Sequence, residues 1–187
     1  WPWSPVDARR FPRSAFRGRG ARQPSPFSAL PAFTARNMPA GQVWGITEQD
    51  GGWCRKKIKP LRNEGLFTPP SIQGSLQFPG NVGGVNWGSA AYDPERGILV
   101  ANTNQLPFIV RLIPRDRFVS ERTAAQKNRV AGEFGNQAGA PYALYREPLL
   151  GPRGLPCNLP PWGNTVALDR KAREIRSEEH TSKRHAP

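Results

Sequence analysis

The sequence predicts an all-β chain of short strands, long irregular connections and one short helix, and three observations predict it. The 187 residues include 21 prolines and 19 glycines, which interrupt long helices and punctuate short elements. Only 37% of the residues are hydrophobic, too few for a helical bundle with continuous apolar stripes. From Ser75 onward, β-prone runs alternate with turn dipeptides such as Pro79-Gly80 and Asp93-Pro94. The length permits one domain with its own core.

Residues 1–42 read as an irregular Pro/Arg-rich connection. Pro2, Pro5, Pro12, Pro24, Pro26, Pro31 and Pro39 remove backbone donors too often for a helix or a central strand. Thr47 followed by Asp50 then gives a capping-box-like start. Trp53, Ile58 and Leu61 follow at spacings that suit one apolar face of a short helix ending before Gly65. Lys56, Lys57 and Lys59 read as its solvated face.

Strands are expected at 75–78, 89–92, 98–102 and 108–113, with turns at 79–81 and 93–97. Adjacent strands joined this way form an antiparallel meander, the building unit of a propeller blade or a barrel. Residues 116–140 read as a polar excursion, and 141–162 as a second proline-rich stretch. A last strand pair is expected at 165–168 and from Glu174.

The formal charge is +13, and seven arginines lie between Arg9 and Arg36. That stretch lacks the helical spacing and interleaved aromatics of a nucleic-acid module, so it reads as a solvated arm and no nucleic-acid partner is expected. No run reaches the roughly 20 apolar residues that span a bilayer. Cys54 and Cys157 fit neither a zinc nor a redox motif. They suit either one disulfide in an oxidising compartment or two buried thiols, and the sequence leaves both open.

The blocks Val43-Trp44-Gly45-Ile46-Thr47, Leu61-Arg62-Asn63-Glu64-Gly65-Leu66-Phe67-Thr68-Pro69-Pro70 and Phe78-Pro79-Gly80-Asn81 stand in a set order. They are followed by Gly83-Gly84-Val85-Asn86-Trp87-Gly88, Leu112-Ile113-Pro114-Arg115, Gly154-Leu155-Pro156-Cys157 and Pro160-Pro161-Trp162-Gly163. Together they resemble the membrane-bound quinoprotein glucose dehydrogenases, over residues 24–175. The resemblance implies a partial eight-bladed β-propeller of the quinoprotein dehydrogenase type, with residues 43–175 as part of its PQQ-binding domain. It also implies pyrroloquinoline quinone (PQQ) as cofactor, a divalent cation (Ca2+ or Mg2+) beside it, and an aldose oxidised to lactone with ubiquinone as acceptor. The setting it implies is the periplasmic domain of an inner-membrane protein, attached through a segment outside this stretch.

A flat quinone with three carboxylates calls for an aromatic or apolar cover and polar donors around its rim. Gly83 and Gly84 remove bulk where backbone can approach a planar ligand, while Asn86 and Trp87 supply an amide and an aromatic plane. The plain alternative is a Gly-Gly turn, a capping Asn86 and a packing Trp87; the resemblance favours Gly84, Asn86 and Trp87 as cofactor residues. It also places Asn102 near the quinone, where an amide donor suits the charge that develops on reduction, while the plain alternative is a strand-terminal Asn that satisfies a turn. Trp162 reads as a structural anchor between blades. No catalytic or metal-ligating residue is assigned, because the family's aspartate block W-D-x-D does not occur here.

Asp169 matches the family's blade-closing repeat A-x-D-x-x-T-G-E, but Ala172 and Arg173 replace its Thr-Gly. Arg176-Ser177-Glu178-Glu179-His180-Thr181-Ser182 matches the in-frame translation of a common sequencing-library adapter, so residues 176–187 read as a non-native tail. His180 and His185 then carry no metal or acid-base role. Residues 1–23 match the family poorly and read as a change of frame. The expected function is that of part of a PQQ-dependent aldose dehydrogenase, inactive alone. Its rivals are a polyol or quinate dehydrogenase of the same family and a non-catalytic propeller used as an interaction scaffold.

Overall fold

A computed structural model describes residues 30–65, 68–85 and 88–180, with side chains through 176. Residues 1–29, which hold most of the arginine-rich arm, lie outside the described residues, as do Asn86 and Trp87.

Residues 30–42 form an irregular lead with one 3-10 turn at Ala40–Gln42. Helix α1 follows at Glu48–Ile58, and its start is the expected capping box. The Asp50 amide donates to the Thr47 hydroxyl at 3.2 Å, and the Thr47 amide donates to the Asp50 carboxylate at 3.3 Å. The helix does not bury the face expected of it. Ile58 and Leu61 pack inward, but Trp53 is 39% exposed while Asp50, Gly51 and Cys54 are buried. The cause is covalent: Cys54 is bonded to Cys157, with Cα atoms 5.6 Å apart, which turns the Cys54 side of the helix inward. Of the two alternatives for the cysteines, the structure shows the disulfide. Lys56, Lys57 and Lys59 face solvent as expected, with Lys57 paired to Glu147 at 3.5 Å.

Eight strands follow: β1 (Ser75–Gln77), β2 (Ala90–Asp93), β3 (Ile98–Asn104), β4 (Phe108–Pro114), β5 (Glu133–Gly135), β6 (Tyr142–Pro148), β7 (Gly163–Asp169) and β8 (Glu174–His180). They form two four-stranded antiparallel sheets, ordered β1-β4-β6-β5 and β2-β3-β7-β8. The strands of the two sheets interleave in sequence, so the simple meander is corrected at two points: β1 pairs with β4 and not with β2, and β3 does not pair with β4. β2 and β3 form the expected hairpin, but the chain leaves β3 through residues 105–107 and enters the other sheet as β4. β3 already pairs with β7 on its other edge, and the Gln105 amide donates to the Trp162 carbonyl at 2.8 Å instead of continuing the ladder.

The excursion at 116–140 is more ordered than its polarity suggests. It holds a second helix, α2 (Phe118–Lys127), and the edge strand β5. No side chain caps the start of α2, which removes the usual signal of a helix beginning. Phe118 anchors it by packing with Ile113, Ala143 and Tyr145. Arg115 ties down the far end, its guanidinium donating to the carbonyls of Asn136, Gln137 and Ala140. A guanidinium suits such a task because its donors fan out in a fixed plane.

Both hairpin turns of the second sheet are headed by aspartate. The Asp93 carboxylate accepts the Glu95 and Arg96 amides at 3.0 Å each, and that of Asp169 accepts the Lys171 and Ala172 amides at 2.8 and 3.0 Å. These backbone donors, with Arg96 and Arg176 respectively beside them, hold both carboxyls below the usual aspartate range. Four residues after each aspartate the backbone is left-handed: Gly97 at φ +71° and Arg173 at φ +61°.

Candidate cofactor-binding site

The candidate site is built where residues 79–85 fold back on the end of β3. Gly84 and Asn104 exchange both backbone hydrogen bonds, at 2.8 and 3.1 Å, so the loop is stitched to the strand. The Asn104 side chain adds a bond to the Val82 carbonyl at 3.3 Å. Gly88 lies against β3 as well: a Cβ built on it would stand 3.8 Å from the Asn102 Cβ.

The two glycines of the pair do different work. A side chain on Gly83 would meet the Pro79 Cβ at 2.3 Å and the Asn104 carbonyl at 3.1 Å, so its bareness serves the chain's own packing. Gly84 has φ +66°, a conformation L side chains rarely adopt, and nothing within 4 Å of the Cβ position. Of the two, only Gly84 presents open backbone. Asn86 and Trp87, the other two expected cofactor residues, lie outside the described residues.

Asn102 is exposed on β3, one alternation from Asn104. Its Oδ1 accepts a hydrogen bond from the Thr165 hydroxyl at 2.8 Å, across the β3–β7 ladder in which the two residues are register partners. Thr165 is invisible as a functional candidate in the sequence, which shows two strands but not the register that joins them. The structure therefore brings Asn102 and the loop of Gly84 to one strand end.

Trp162 is a structural anchor, as expected. Its indole N–H donates to the Asn158 carbonyl at 2.9 Å and its ring meets Trp44 edge-on at 5.6 Å. The buried Asn158 amide donates to the Gln105 carbonyl at 2.9 Å. These contacts fix the segment that enters β7. Among the described residues, no three His, Cys, Asp or Glu side chains gather so as to hold a metal ion, and no helix is long and apolar enough to cross a membrane.

The family model described as "PQQ: Glucose/ethanol/alcohol dehydrogenase, beta-propeller domain" matches residues 1–186. The match runs wider than the 24–175 stretch that carries the motifs. The chain is 38% identical over 173 residues to the quinoprotein glucose dehydrogenase of Escherichia coli (strain K12), covering 91% of this chain and 22% of that protein. It is 36% identical over 182 residues to quinoprotein glucose dehydrogenase A of Acinetobacter calcoaceticus, covering 93% and 22%. It is 32% identical over 149 residues to the quinate/shikimate dehydrogenase (quinone) of Acinetobacter baylyi (strain ATCC 33305 / BD413 / ADP1), covering 78% and 18%. No solved structure matches.

Two four-stranded antiparallel sheets and that match make this a chain of the β-propeller class. It belongs to the PQQ-dependent glucose/ethanol/alcohol dehydrogenase family. The chain spans about a fifth of the length of the curated relatives it matches.

Proposed function

We propose that this chain contributes one wall of the PQQ site in an aldose dehydrogenase, which oxidises a sugar to its lactone and passes the electrons to ubiquinone. The observation that carries the reading is the strand end where the open backbone of Gly84 and the exposed amide of Asn102 come together. Those residues fit the group: a flat quinone needs close backbone approach on a face and donors at its rim, and both are present. When bound, PQQ supplies the two-electron acceptor for the sugar carbon. Asn102 would donate to a quinone oxygen and Gly84 would let the backbone come near the ring, and Asn86 and Trp87 are the remaining cofactor residues of this reading, as amide and aromatic cover.

The choice of an aldose rests on the higher identity to the glucose dehydrogenases, 38% and 36% against 32% for the quinate/shikimate relative. A periplasmic setting is supported by the Cys54–Cys157 disulfide, because such bonds persist in oxidising compartments. Residues 43–175 are the propeller part of this reading, 1–42 a connection and 176–187 an adapter-derived tail. The reading includes a divalent cation (Ca2+ or Mg2+) beside the quinone, for which the described residues of this chain supply no ligand cluster.

The test is reconstitution of the complete apo-protein with PQQ, followed by tryptophan fluorescence. Asn102→Ala should weaken binding about tenfold, the worth of one hydrogen bond to a charged acceptor. Reduction of a ubiquinone analogue with glucose, quinate and glycerol in turn should be fastest with glucose. Equal PQQ affinity for wild type and Asn102→Ala would remove the reading.

A further inference from the structure

The Asn102 amide is held at one end only. Its Oδ1 takes the Thr165 hydroxyl at 2.8 Å, while among the described residues none accepts from its Nδ2. An amide is ambivalent: a half-turn about its last torsion exchanges an acceptor for a donor. A hydroxyl can hold either end, so the ligand's own polarity decides which end faces it.

We infer that Thr165 is a positioning residue for the cofactor wall: its hydroxyl holds one end of the Asn102 amide against β7 and leaves the other end facing the bound quinone, whose oxygen selects the orientation with the N–H2 outward. This rests on the reading that Asn102 faces PQQ, and adds to it the residue that holds that side chain in place. Three features support it. The two residues are register partners on neighbouring strands, so the contact is set by the ladder and not by a mobile loop. Thr165 lies on a central strand, between β3 and β8, and its branched side chain has few rotamers with which to turn away. A quinone oxygen gains negative charge on reduction, so a donor there stabilises the reduced form more than the oxidised form. An amide turned the other way would oppose that charge with its own carbonyl oxygen.

The test compares wild type, Thr165→Val, Thr165→Ser and Asn102→Ala in the complete protein, measuring affinity for oxidised and for reduced PQQ, with melting temperature as a control. Valine keeps the shape of threonine and lacks the hydroxyl. Thr165→Val should lose about tenfold of the preference for reduced over oxidised cofactor, as Asn102→Ala does, and Thr165→Ser should keep it within about twofold. A side-chain 15N spectrum should show the Asn102 amide protons shifted by Thr165→Val in the absence of cofactor. If Thr165→Val keeps the wild-type ratio while Asn102→Ala lowers it, the positioning role is wrong and the PQQ reading stands. The positioning role fails equally if Thr165→Val only lowers the melting temperature. If Asn102→Ala also binds both forms like wild type, the PQQ reading itself falls, and this inference falls with it.

Discussion

In the first sheet five of the seven residues of β4 are buried, on both faces of the strand; in the second, β3 alternates buried Ala101 and Thr103 with exposed Val100, Asn102 and Asn104. The first sheet also carries the added supports. Its face that bears Leu76, Ile109, Ile113 and Tyr145 gathers α1, α2 and the disulfide. Burial and the neighbouring Glu147 carboxylate hold the Tyr145 hydroxyl protonated well above the usual tyrosine range. The second sheet has hairpins headed by aspartates and one bare face. A strand buried on both sides has nothing left to offer a ligand, whereas one with a free face can present amides at regular spacing. Stability and candidate function are thus divided between the sheets.

The sharpest way to break that division is to cut the disulfide. A cross-link over 103 residues removes much of the freedom of the unfolded chain, worth about 5 kcal/mol in the chain-entropy model. Replacing both Cys54 and Cys157 by Ser should raise amide exchange throughout α1, β1 and β4. The β2–β3 hairpin should change far less. Equal loss of protection in the two sheets would mean that they open as one unit, and the contrast would fail.

A smaller effect comes from single side chains. Ile113 is fully buried and Val100 is 36% exposed. Ile113→Ala leaves a cavity beside Phe118 and should cost about 3 kcal/mol, whereas Val100→Ala should stay within about 0.5 kcal/mol. Urea unfolding read by tyrosine and tryptophan fluorescence checks both. A large loss at Val100 would show that the exposed face of the second sheet is covered in solution.

How much of this is legible in the sequence follows the same division. The second sheet reads well: the hairpin of β2 and β3, the turn at Asp93 and the pair β7–β8 all announce themselves through alternation and turn residues, which are local signals. In the first sheet β6 escapes such a reading, because Pro141 and Pro148 frame it and its burial comes from distant neighbours. α2 escapes it for want of a cap, and the orientation of α1 differs from expectation because a covalent bond, not apolar spacing, sets it. At the candidate site the loop glycines and Asn102 are legible as residue types. Their meeting at one strand end, and the division of labour between Gly83 and Gly84, depend on register and on backbone angles that no spacing rule contains.

The smallest effect concerns the two aspartate turns. Both place a left-handed residue four positions after the aspartate, but one supplies Gly97 and the other Arg173. A non-glycine residue in that conformation costs about 1 kcal/mol through crowding of its Cβ against its own backbone. The family's blade-closing repeat has glycine there, so Arg173 is the point where local chemistry and the fold disagree. β8 forms nonetheless, because ladder hydrogen bonds are made by backbone whatever the side chains, and its pairing with β7 has a register shift between Ala167 and Leu168. Arg173→Gly should therefore slow amide exchange in the β7–β8 hairpin about fivefold, corresponding to about 1 kcal/mol. Gly97→Ala should speed exchange in the β2–β3 hairpin by a similar factor. If glycine at position 173 brings no gain while alanine at position 97 brings the loss, the β7–β8 turn does not hold its left-handed form in solution, and the likeness between the two hairpins stops at their aspartates.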